Sequence, residues 1–152
     1  MNHHLLSLFL NPTVWAAFMA WMIAQTTKMA LFFIRTRRIN FAYLVSTGGM
    51  PSAHSAFVSA LATSVGLRVG MGDPLFAVTI AFALVVMFDA QSVRRAAGLQ
   101  ASVLNQIVDE LFKNRRIADG KLAELLGHTR LEVFLGMLLG IVVALLVHSL
   151  MA

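Results

Sequence analysis

Cysteine is absent from the chain. Its absence removes disulfides, thiolate nucleophiles and cysteine metal sites together, and leaves histidine and carboxylates as the available metal ligands. Charge is scarce as well: 12% of the 152 residues are Asp, Glu, Lys or Arg, 59% are hydrophobic, and the mean hydropathy is +0.78. A soluble domain of this size is not so apolar, so the composition identifies an integral membrane protein. No basic segment precedes the first apolar run, and Trp15-Ala16-Ala17 leads directly into further apolar sequence. A cleaved signal peptide is therefore not expected, and that run is read as a retained span. Sheet-like alternation, internal repeats and low-complexity segments are also missing.

The charge that is present is unbalanced, with 12 Lys and Arg against 7 Asp and Glu, a net charge of +5 and a pI near 10.8. In a soluble chain such a surplus suggests nucleic acid. Here the basic residues cluster beside apolar segments, so the expected partners are the bilayer, anionic headgroups and a phosphorylated lipid, with no nucleic acid.

Four apolar segments predict an all-α integral membrane helical bundle in one domain, with spans at about 12–34, 54–69, 75–88 and 131–150. Lys28 interrupts the first span, and Arg35, Arg37 and Arg38 close it at an aqueous interface. The second is short and carries small residues in two stripes, Ser55, Ser59 and Thr63 beside Ala56, Ala60 and Ser64, which suits an inner helix in close contact with its neighbours. Gly70-Met71-Gly72-Asp73-Pro74 is a tight turn into the third. The polar connection 89–130 contains an apolar helical period at Val103, Leu104, Ile107 and Val108, read as an amphipathic helix lying at the interface, and a turn at Asp119-Gly120. Gly136 and Gly140 are spaced for close packing in the last span. Nearly all Lys and Arg fall after spans one and three, so that face is expected in the cytoplasm. So small a bundle also suggests a homodimer that covers the short second span.

The stretch that organises the chain is Gly48-Gly49-Met50-Pro51-Ser52-Ala53-His54-Ser55. Proline suits a helix start and Ser52 can cap the N–H groups that follow, so unpaired donors and the positive end of the helix dipole gather near His54. Such a helix start receives anions, and phosphate is the expected one. The predicted topology brings Lys28, Arg35, His54, Arg94 and His128 to the same membrane face.

Taken in order, Lys28 and Arg35, Pro51-Ser52-Ala53-His54, Arg94 with Gly98, and Gly127-His128 with Glu132 resemble the motifs of the type 2 phosphatidic acid phosphatase superfamily. That superfamily also includes vanadium-dependent haloperoxidases, and the likeness is greatest to its small divergent bacterial and plastid membrane branch. The family pattern is Lys, six residues, Arg-Pro; Pro-Ser-Gly-His; and Ser-Arg, five residues, His, three residues, Asp. This chain departs from it at Thr36, Ala53 and Glu132. Five residues after Arg94 stands Gln100, which cannot accept a phosphoryl group, whereas His128 has the expected neighbours after an insertion of residues 99–127.

The resemblance implies metal-independent hydrolysis of a phosphomonoester or pyrophosphate with no cofactor. His128 would attack phosphorus, Glu132 would hold its other ring nitrogen, and His54 would protonate the leaving oxygen and then activate water. Lys28, Arg35, Ser52 and either Arg94 or Arg95 would surround the phosphate oxygens. The expected substrate is an amphiphile such as phosphatidate, phosphatidylglycerophosphate or an isoprenyl phosphate, at a cytoplasm-facing site of a bacterial inner membrane or plastid membrane. Membrane burial suits a lipid better than peroxide and halide. Two competing readings are a metal-dependent lipid phosphotransferase using Asp89, Asp109, Glu110 and Asp119, which have no recognisable metal spacing, and a non-catalytic membrane protein, either a small transporter or an assembly factor whose basic face grips anionic lipid.

Overall fold

The computed structural model describes residues 7, 9–39, 49–111 and 127–151, and omits the side chains of 93–95 and 109–111. Among the described residues five helices follow one another: α1 (Pro12–Thr36), α2 (Ala53–Val69), α3 (Pro74–Gln91), α4 (Val93–Leu111) and α5 (Arg130–Met151). Among the described residues there is no strand. The protein is an all-α membrane bundle. The expected turn at Asp119-Gly120 and the basic residues Lys113, Arg115, Arg116 and Lys121 lie outside the described residues.

Local chemistry sets the helix starts. Asn11 caps α1 by accepting the Thr13 N–H at 3.0 Å, Ser52 caps α2 by accepting the Ser55 N–H at 3.3 Å, and Asp73 caps α3 by accepting the Leu75 N–H at 2.7 Å. Pro12 and Pro74 occupy the first turns of α1 and α3, where the missing N–H costs nothing. Gly49, at φ +78°, and a cis Met50–Pro51 peptide lead the chain into α2.

Helix α2 is the inner element. It packs against α1, α3 and α5, and ten of its 17 residues are buried, against two of the 18 in α3. Among the described residues, three helical stretches are long and apolar enough to cross a membrane: α1, the run from Pro74 through Val108, and α5. At 1.5 Å per residue α2 rises only about 25 Å, less than a hydrocarbon core of about 30 Å. Its neighbours enclose it instead.

Small side chains make this enclosure tight. Ala16, Ala20 and Ala24 of α1 meet Ala53, Ala56 and Ala60 of α2, and Val143 and Ala144 of α5 complete the seam. On α5, a Cβ at Gly136 would strike the Ser52 carbonyl oxygen, and one at Gly140 would strike that of Ala56. The two glycines let α5 lie directly on the α2 backbone, the close approach that small residues permit in a bilayer. At the far end of α2, a Cβ on Gly66 would come within 2.8 Å of the Phe76 ring of α3. Outward-facing Leu84, Val85 and Phe88 of α3 and Leu146 of α5 are left exposed, as lipid contact requires. Helix α4 contacts α3 and presents Leu99, Val103, Leu104 and Ile107 outward, the apolar face expected of an interfacial helix.

Candidate functional site

The start of α2 and the start of α5 meet, and their polar groups form one buried cluster. The Ser52 N–H donates to the Glu132 carbonyl at 3.0 Å, and the His128 N–H donates to the Ala90 carbonyl in the last turn of α3 at 3.1 Å. Residues 128–132 are thereby clipped to the beginning of one helix and the end of another. The Ala90 carbonyl is one of those a helix end leaves unpaired, so this bond also satisfies an orphan acceptor.

His128 is 3% exposed, and its Nδ1 lies 3.0 Å from Glu132 Oε2. A carboxylate can only accept, so in the neutral ring the proton belongs on Nδ1 and the lone pair on Nε2. The same Oε2 accepts the Thr129 N–H at 3.0 Å, while Thr129 Oγ1 accepts the Glu132 N–H at 3.3 Å. This reciprocal pair is a capping box at the start of α5. Glu132 thus begins the helix and fixes the histidine tautomer with a single carboxylate. The pattern Thr129-x-x-Glu132 carried the capping signal, which the sequence reading passed over in favour of the histidine partner alone.

Ser52 and Ser55 are completely buried, and Ser55 Oγ donates to Ser52 Oγ at 3.0 Å. Lys28 is 4% exposed, its stem packs against Gly49, and it lies within electrostatic reach of Glu132. Lysine in a span often extends to the interface, but this one is enclosed in the bundle, where a charge is expensive and is usually retained for function. The cluster therefore joins Lys28, Ser52, His128 and Glu132.

The other expected site residues are placed differently. His54 is half-buried and turns to another side of α2, where it ends a groove of about 420 Å³ between α1, α2 and α3. Arg35 is exposed in the last turn of α1, about 10 Å of helix rise beyond Lys28. Arg94 and Arg95 fall in the first turn of α4, and their side chains lie outside the described set. Among the described residues, no three His, Asp or Glu side chains gather as metal ligands. Of the four carboxylates considered for a metal, only Asp89 has a described side chain.

Gln25 is an unanticipated member of the region. It is 5% exposed, less than one turn from Lys28 on α1, and its Oε1 has no hydrogen-bond partner among the described residues. A lone amide in an apolar run was the available signal.

No solved structure matches the chain. The uncharacterized membrane protein YuiD of Bacillus subtilis (strain 168) is 41% identical over 153 residues, covering 92% of this chain and 96% of that protein. A family model described as the divergent PAP2 family matches residues 9–143, from the cap of α1 through both halves of the polar cluster to the α5 seam. With nearly all of its length so matched, the chain belongs to the divergent PAP2 family.

Proposed function

We propose that the protein is a membrane phosphatase that removes phosphate from a lipid through a phosphohistidine at His128. The observation that carries this reading is the His128–Glu132 pair at 3.0 Å, its histidine buried and its carboxylate partly so, near the Ser52 cap and Lys28. A histidine oriented by a carboxylate through Nδ1 presents Nε2 as a nucleophile.

In the proposed sequence, the Nε2 lone pair forms the N–P bond while the bond from phosphorus to the lipid oxygen breaks. In this proposal the substrate crosses the start of α2, and His54, on the groove side of that helix, gives its proton to that oxygen. Water then attacks the phosphohistidine as His54 takes a proton from it, which releases inorganic phosphate and restores both rings. Lys28 and the Ser52 hydroxyl stabilise charge on the phosphoryl oxygens, with Arg35 and one of Arg94 or Arg95 completing the set when substrate is bound. One histidine must begin neutral and the other protonated, so the rate is expected to be bell-shaped in pH. The site faces the cytoplasm, on the side of the basic connections. A homodimer is a further proposal.

A second reading, phosphate-lipid binding without hydrolysis, draws on the capping box, because Glu132 would be retained for helix α5 even in an inactive protein. Phosphate release in mixed micelles with EDTA separates the two. Release from phosphatidate, phosphatidylglycerophosphate or an isoprenyl phosphate, lost in His128→Ala and His54→Ala, is the outcome expected of the phosphatase. Release that survives His128→Ala rejects the nucleophile, and release that needs a divalent cation favours the carboxylate–metal reading.

A further inference from the structure

The groove that begins at His54 points to how the lipid is held. Phe18 and Trp21 of α1 form one wall, Phe57 and Val58 of α2 the floor, and α3 supplies the opposite wall through Phe82 and Val86. Every lining residue except His54 is apolar. Its long direction follows from the chain: Ser52 belongs to the polar cluster, His54 comes two residues later, and Phe57 and Val58 lie a turn further into the bilayer. The Phe18 and Trp21 rings follow each other along α1 with centroids 6.1 Å apart, a stiff wall of large side chains.

We infer that this groove is the site of one hydrocarbon chain of the substrate, whose phosphate lies at the His54 end. The inference rests on the phosphatase reading for the role of His54, but the groove itself does not. An amphiphile fits because the polar and apolar requirements adjoin near the start of α2: the buried Lys28, two helical turns beyond Trp21 on α1, attracts an anionic head, and the walls accept only hydrocarbon beyond. A volume of about 420 Å³ equals about fourteen groups of water size at roughly 30 Å³ each. That is room for part of one long chain, so any second chain remains in the surrounding lipid. The bilayer is as apolar as the groove, and the chain therefore gains position rather than hydrophobic energy. Filling the groove should raise KM for long-chain substrates by about tenfold and leave short-chain turnover unchanged.

Trp21 provides a direct readout. In Trp15→Phe protein, Trp21 is the sole tryptophan, and a monoacyl phosphate brominated along its chain should quench it saturably in detergent. A brominated lipid of the same length with a neutral headgroup should quench far less. Unlabelled acyl phosphate and isoprenyl phosphate compete in separate arms, and the tighter competitor identifies the chain. Val86→Phe should weaken the quenching by about tenfold while His128→Ala leaves it intact. Equal quenching by the neutral lipid, or no change in the filled variant, overturns the groove. Phosphate release without saturable quenching also rejects it while sparing the phosphatase. Saturable quenching without any phosphate release supports the groove and rejects hydrolysis.

Discussion

The two ends of the inner helix α2 contain similar polar side chains used in opposite ways. At its C-terminal end, Asn11 Oδ1 accepts both the Thr13 N–H and the Arg68 guanidinium, and Ser64 Oγ donates to Thr13 Oγ1. The bonds from Arg68 and Ser64 join residues far apart in the chain, and they lock α1 to α2. At the N-terminal end, a lysine, a histidine and two serines are buried together, a glutamate serves two partners, and a glutamine oxygen nearby has no partner among the described residues. A fold needs the first arrangement. The second contains more charge and more polar burial than holding three helices together requires, and such excess in a membrane is characteristic of a functional site.

Substitutions at the two ends should separate in kind. The largest effect is expected for His128→Ala, which removes the proposed nucleophile and should lower phosphate release by about ten-thousandfold or more with little change in thermal unfolding in detergent. Lys28→Met should lower release by about a hundredfold to a thousandfold, while stability holds or rises, because a buried charge is exchanged for an apolar chain of similar length. A loss of stability with no loss of activity would make Lys28 structural.

Glu132 tests both roles within one residue. Glu132→Gln keeps the capping geometry but loses the charge, so it should fold normally and lose about a hundredfold or more in rate; Glu132→Ala should in addition destabilise α5 by about 1 kcal/mol. The opposite order, with Gln active and Ala merely unstable, would reduce Glu132 to a cap. Gly140→Ala pushes a methyl group into the Ala56 carbonyl and should destabilise the bundle by about 1–3 kcal/mol, read as a lower midpoint of thermal unfolding. The smallest change is expected for Ser64→Ala, at about 1 kcal/mol of stability with catalysis unaffected. Activity lost in proportion at both ends would erase the contrast.

Much of the framework was legible because it is local. Capping by Ser52, the proline starts and the Gly136–Gly140 contact are decided by a few neighbouring residues, and the structure supplies the partner, the α2 backbone. His128 and Glu132 stand four residues apart, but His128 precedes the Thr129 cap, so their bond is made by the turn into α5 and not by helical spacing. Tertiary placement was not legible in the same way. Whether Lys28 reaches the interface or is enclosed depends on helices far away in sequence, and the groove takes its walls from three of them. Lys28 and Arg35 are both expected at the phosphate, yet one is buried and the other exposed.

The central claim is that the N-terminal end of α2 is built for covalent chemistry on His128. It is tested most directly by mixing His54→Ala protein with a lipid carrying radiolabelled phosphate, quenching the mixture, and mapping the label. His54→Ala loses the first-step acid as well as the second-step base, so wild-type protein quenched during turnover is mapped in parallel; an acid-labile, base-stable phosphoryl group is expected on His128 in at least one of the two and is absent from the His54→Ala/His128→Ala double variant. Lipid turnover by wild-type protein with no label on His128 in any variant would contradict the account.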